Sequence, residues 1–261
     1  MADSDPAGLE QTINQASEHH QAGRLDDAAA LYRKIVAAHP GHCGALVQLG
    51  VIDYQLGRVD TAFTWLHRAA AVNPFSEAVA FTLGELLRLQ GRLDEAIPNL
   101  MQAIELAPKM AVAHNSLGAA LQAQGRLDDA VASFGNAIAQ DPGFADAYNN
   151  LGVVLETLGK LDDAIASYEV AVEQRPDFAA ARGNLGIALL FAGRPEPALA
   201  ELERALALQP GVPMTISAKG HALQALGRLD QAIECFEAVV ALLPDTPKAQ
   251  EDLANARRAR G

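Results

Sequence analysis

His39, His42 and Cys43 fall within one short stretch of the chain. Two imidazoles and a thiol are zinc ligands, but a structural zinc takes four donors, and the neighbouring sequence offers no fourth. The other reading is a polar loop with a small apolar residue opening the helix that follows. Adjacent acids, Asp128-Asp129 and Asp162-Asp163, are candidates for general acids. They recur with a fixed period, however, and suit the first turn of a helix, where carboxylates complement the helix dipole. The chain has 21 glycines, yet no Gly-x-Gly-x-x-Gly or P-loop follows a strand. Neither a Gly-x-Ser-x-Gly elbow nor a His-Glu-x-x-His helix is present. The residues predict a protein that is not an enzyme and carries no cofactor and no metal.

The elements that hold these residues repeat. Gly-Arg-Leu-Asp or a near variant starts at Gly23, Gly57, Gly91, Gly125, Gly159, Gly193 and Gly227, always 34 residues apart. Alanine follows each glycine at a constant offset, at Ala28, Ala62, Ala96, Ala130, Ala164, Ala198 and Ala232. Proline closes each repeat, at Pro40, Pro74, Pro108, Pro142, Pro176, Pro210 and Pro244. In 145–178, Ala147, Tyr148, Leu151, Val154, Leu155 and Leu158 recur at helical spacing. Gly159 then stops the helix in a left-handed cap. Asp162 and Asp163 open a second helix whose stripe is Ala164, Ile165, Tyr168, Ala171 and Val172, and Pro176 ends it. Each repeat is thus a helical hairpin, and Gly152 and Ala164 let its two helices approach closely.

These residues resemble the tetratricopeptide repeat family: Leu151-Gly152, Gly159, Ala164, Tyr168, Ala171 and Pro176 stand at its signature positions. The resemblance implies an all-α, right-handed superhelical solenoid of seven hairpins (9–42, 43–76, 77–110, 111–144, 145–178, 179–212, 213–246). A capping helix is expected at 247–261, rich in Lys, Arg, Glu and Asp, and residues 1–8 are expected to be disordered. The resemblance also implies that ligands lie along a concave surface formed by the first helix of each hairpin. The inward positions are Val47, Val51, Tyr54, Phe81, Glu85 and Arg88 early in the chain, Asn115, Asn149, Asn150 and Asn184 in the middle, and Ile187, Leu190, Phe191, Met214 and His221 late.

Inward asparagines suit a peptide backbone, because a carboxamide both donates and accepts. In this respect the chain is similar to the arms of O-linked N-acetylglucosamine transferases. Asn14, Asn150 and Asn184 match their asparagine position, while Gln48, Thr82, Ser116 and Ala218 do not. The carboxylate clamp of chaperone-binding relatives is absent, since Val47, Val51, Phe81 and Glu85 replace its Lys and Asn residues. Ser167 is expected on the opposite, outer face.

Composition narrows the partners. A formal net charge of -12 repels phosphate backbones, so the expected ligand is a protein or peptide and not a nucleic acid. Two distant cysteines, the lack of a signal-peptide pattern and the lack of a long apolar run predict a cytoplasmic protein without a membrane span. The expected function is an interaction scaffold. The alternative is a substrate-recruiting subunit for a separate glycosyltransferase, sulfotransferase or methyltransferase chain. The residues leave the oligomeric state open.

Overall fold

A computed structural model describes residues 6–261, in which the chain forms fifteen α-helices and no strand. The helices group into two compact units that meet in sequence at Arg126 and Leu127. The N-terminal unit contains α1 (Pro6–Gln21), α2 (Leu25–Ala38), α3 (Cys43–Gln55), α4 (Val59–Val72), α5 (Glu77–Leu89), α6 (Leu93–Leu106) and α7 (Ala111–Ala123). The C-terminal unit contains α8 (Leu127–Gln140), α9 (Ala145–Thr157), α10 (Leu161–Gln174), α11 (Ala179–Phe191), α12 (Pro195–Leu208), α13 (Pro213–Ala225), α14 (Leu229–Leu242) and α15 (Pro247–Arg260).

The expectation of disorder over 1–8 lies partly outside the described residues, at 1–5. Residues 6–8 correct it: they are the first turn of α1. Proline suits that first turn, because its fixed φ is already helical and its missing N–H is not needed there.

The hairpin turn follows from one glycine. Gly57 has φ +74°, its N–H donates to the Tyr54 carbonyl, and the Arg58 N–H donates to the Asp53 carbonyl at 2.7 Å. This double closure is the Schellman arrangement. The other repeat glycines adopt the same left-handed φ, from 71° to 78°. The helix that follows each turn starts after Arg or Lys, without a side-chain cap bond where its N-cap is described. The acids of its first turn therefore act through the helix dipole and not as caps.

Within each unit, hairpins stack into an all-α solenoid. The alanines that follow the turns, from Ala28 to Ala232, are all 0% exposed. On the facing helix, a Cβ built at Gly152 would fall 2.5 Å from Cε1 of the buried Tyr168. Glycine is thus required by the ring and not by backbone conformation. Successive first helices touch one another, α3 to α5 to α7 in one unit and α9 to α11 to α13 in the other. They form a continuous wall in each.

Long side chains satisfy the carbonyls of the closing prolines. Pro40 accepts from Arg68, Pro74 from Gln102, Pro176 from Arg182 and Pro244 from Gln250. His114 Nε2 lies 3.0 Å from the Pro108 carbonyl, which requires the Nε2–H tautomer. At the C-terminal end α15 packs Leu253 and Ala256 against the core that holds Phe236. Its last turn carries Arg257, Arg258 and Arg260, complementing the dipole.

Candidate functional site

The wall of first helices is where the predicted site residues fall, and the two units differ in what they display. In the N-terminal unit, Val51 and Tyr54 of α3 are half-buried, and the Tyr54 hydroxyl accepts from Gln90 at 3.0 Å. Val47 corrects the expectation. It is buried, 7% exposed, within the core cluster of α1–α6 and offers no surface to a ligand. Phe81 is half-buried, packed against Ala80, Ala103 and Ala113.

Glu85 and Arg88 engage each other. Arg88 donates through Nη2 and Nε, at 2.6 and 3.1 Å, to the two oxygens of the carboxylate. Burial opposes ionisation of Glu85, but hydrogen bonds from Arg88 and Ser116 and the Arg88 charge outweigh it. The carboxyl stays below its ordinary value. A carboxylate so satisfied is a poor anchor for a basic ligand. Asn115, on α7, is half-buried.

In the C-terminal unit the predicted amides come together. Asn184 Nδ2 on α11 donates to Asn149 Oδ1 on α9 at 2.9 Å, and Asn149 Nδ2 reaches Asn150 Oδ1 at 3.5 Å. All three are half-buried. Beside them Ile187 and Leu190 are half-buried, while Phe191 is 74% and Met214 64% exposed. His221 lies edge-on to Phe236 and 3.4 Å from Asp252 of the cap.

Two stretches singled out in the sequence serve packing and capping. His42 Nδ1 accepts the Ala45 N–H and so caps α3, and Cys43 Sγ lies 3.9 Å from the Ala69 carbonyl. Among the described residues no three His, Cys, Asp or Glu side chains are grouped to hold a metal. Ser167, expected on the outer surface, is instead buried, with its hydroxyl bonded to the Asp163 carbonyl. Among the described residues no helix is long and apolar enough to cross a membrane.

Sequence reasoning missed Asp53. It is 0% exposed and accepts from Arg33 Nη2 at 3.1 Å, Arg58 Nη1 at 3.1 Å and Trp65 Nε1 at 2.9 Å. The signal was present: the equivalent residues of later repeats are Leu87, Leu121, Leu155, Leu189 and Leu223. A carboxylate in a leucine register must find its donors inside the fold. The network joins α2, α3 and α4 and serves their packing.

Comparison with known proteins agrees with this architecture. Profiles of the tetratricopeptide repeat match residues 19–83 and 155–220, and also 115–177 and 217–261, and a TPR repeat profile matches 84–125. A search of curated proteins found no match. Among solved structures, the APC/C hetero-tetramer Cut9-Hcn1 contains a chain that aligns with a TM-score of 0.77 at 19% identity. That alignment covers 97% of this chain and 50% of the other, so this chain spans half the length of that relative. Pseudomonas aeruginosa pilF aligns with a TM-score of 0.75 at 19% identity, over 82% of this chain and 97% of pilF. YrrB, described as a TPR protein with an unusual peptide-binding site, aligns with a TM-score of 0.60 at 22% identity, over 71% of this chain and 96% of its own. At these identities the structural likeness is one of fold. Together the 34-residue hairpins, the glycine turns and the matched profiles establish that the chain belongs to the tetratricopeptide repeat family.

Proposed function

We propose that this chain is a protein–protein interaction scaffold that holds an extended segment of a partner against the first helices of its hairpins. Asn149, Asn150 and Asn184 of the C-terminal unit form the anchor. The observation that carries this reading is the hydrogen bond from Asn184 to Asn149. It orients two carboxamides on adjacent helices while leaving each a further donor or acceptor. Adjacent helices pack ~8–10 Å apart and an extended chain rises ~3.3 Å per residue. Each amide would therefore meet about every third residue of a ligand backbone. The peptide-binding site named for YrrB supports the class of ligand. The net charge of -12 favours a protein over a nucleic acid. In the N-terminal unit, Val51, Tyr54 and Phe81 offer a smaller apolar contact. Two unpaired cysteines suit a reducing, cytoplasmic setting. Recruiting substrate for a separate transferase chain would use the same surface and differ only in the partner's identity.

The test begins with short random peptides displayed to the immobilised full chain, and continues by calorimetry with the recovered sequences. Asn149→Ala, Asn150→Ala and Asn184→Ala together should weaken binding at least about tenfold. Each lost bond to a desolvated peptide costs ~0.5–1.5 kcal/mol. The melting temperature should hold, because partners removed together leave no buried orphan. Ala166→Arg, exposed on α10, is the outer-face control and should bind normally. The groove reading is wrong if Ala166→Arg abolishes binding while the triple variant binds as the parent does.

A further inference from the structure

At the fifth position of successive repeats stand Val47, Phe81, Asn115, Asn149, Gly183 and Ser217; only α11 lacks a side chain there. The missing side chain opens a cleft of about 170 Å³ bounded by α11, α12 and α13 of the C-terminal unit. Ile187 and Met214 form apolar walls, and Asn184, Gln209 and Thr215 supply the polar groups. No charged residue lines it.

Thr215 is the unusual member. It is only 6% exposed, yet its hydroxyl has no hydrogen-bond partner among the described residues. Thr12, Thr64, Thr82 and Thr157 each donate to the carbonyl four residues back. Thr215 stands in the first turn of α13, and the residue four back, Gly211, lies outside the helix. The hydroxyl is therefore left to face the cleft. A Cβ built on Gly183 would lie 3.4 Å from it, which places it over the glycine floor. The hydroxyl still meets solvent through the open cleft, so an occupant that covers it must supply a hydrogen bond in place of water. Asn184 contributes a second open group: its Nδ2 is committed to Asn149, which leaves its Oδ1 as an acceptor.

Size and polarity decide what fits. Small-molecule pockets run to ~300–1,000 Å³, so a cleft of about 170 Å³ suits one side chain. A charged side chain would lose its hydration with no counter-ion in the lining. A purely apolar one would leave Thr215 desolvated and unpaired. A carboxamide both donates and accepts, so it meets the hydroxyl and the Asn184 oxygen while its methylenes pack on Ile187 and Met214. We infer that this cleft is a specificity subsite for a glutamine or asparagine side chain of the bound peptide. The inference rests on the groove reading above and adds to it a choice of sequence.

The experiment uses the full chain, the peptides recovered by display, and two variants. Thr215→Val removes the hydroxyl with little change of shape, and Gly183→Leu fills the cleft. Peptides recovered on the parent should share one position rich in Gln or Asn. Replacing that residue by Leu or Glu should weaken binding about tenfold or more. On Thr215→Val the preference should reverse, the Leu peptide binding at least as tightly as the Gln peptide. On Gly183→Leu all discrimination at that position should vanish. Circular dichroism should show both variants folded. Should Gly183→Leu not fold, Gly183→Ala, whose methyl fits at 3.4 Å, takes its place with a partial loss. The subsite is overturned if peptides that depend on the three asparagines show no carboxamide preference, or keep it on Thr215→Val; the groove reading then still stands. If no peptide is recovered, or binding ignores the asparagines, the groove reading fails and the subsite falls with it.

Discussion

Replacing Asp53 by alanine withdraws the acceptor for three donors at once. Breaking a buried ion pair from one side costs ~3–5 kcal/mol when the partner stays buried. Here the Arg33 and Arg58 side chains are 42% and 44% exposed, so both guanidinium groups can turn to water and their share is reduced. The Trp65 indole N–H is held inside the hairpin by packing, and an orphaned donor of that kind costs ~1–3 kcal/mol. The sum for Asp53→Ala is a loss of about 2–4 kcal/mol, below the fully buried case. Repeat arrays unfold in pieces, so a local probe is needed. Trp65 is the chain's single tryptophan and contacts the carboxylate itself. With a denaturant slope of ~2 kcal/mol/M, the urea transition seen by its fluorescence should move down by about 1–2 M. Asp53→Leu places in this register the residue of the later repeats and should lose less, because it regains apolar burial while still orphaning the indole. An unchanged fluorescence midpoint for Asp53→Ala would refute the reasoning and show that the network contributes nothing net to folding.

Two further predictions concern packing and pH. Gly152→Ala sets a methyl 2.5 Å from the Tyr168 ring and should cost ~1–3 kcal/mol by overpacking. The loss should shrink when Tyr168→Ala is combined with it, and a denaturation midpoint equal to the parent's would show that the helices separate freely. Glu85 is held below its ordinary value of 4.5, so its contact with Arg88 and Ser116 stabilises the N-terminal unit above that pH. The contribution is lost as pH falls through the lowered value. Glu85→Gln should flatten that part of the acid limb of stability, and an identical acid limb in parent and variant would exclude the assignment.

The site was only partly legible in the sequence. Tyr54, Ile187 and Phe191 are placed by the inward positions that the family resemblance implies, and they fall on the first helices α3 and α11. Val47 holds such a position too, yet is buried, since neighbouring helices cover it. Ser167 was misplaced for a similar reason: it is buried by packing that its own helix does not reveal. Asp53 was visible as an anomaly in a leucine register, but its donors Arg33, Arg58 and Trp65 lie on separate elements.

The sequence by itself determined the repeat, and with it the hairpins. The left-handed cap of Gly57, the close approach at Gly152 and the stop at Pro176 each depend on residues within one 34-residue repeat. Such short-range requirements leave a regular trace at a fixed period. The tertiary structure alone decided which polar groups meet. Asn184 finds Asn149, Ser116 finds Glu85, and Thr215 finds no partner and faces the space over Gly183. Those outcomes depend on how one hairpin is set against the next. Hydrogen bonds act over about 3 Å, a distance that helical periodicity does not resolve between residues a whole repeat apart.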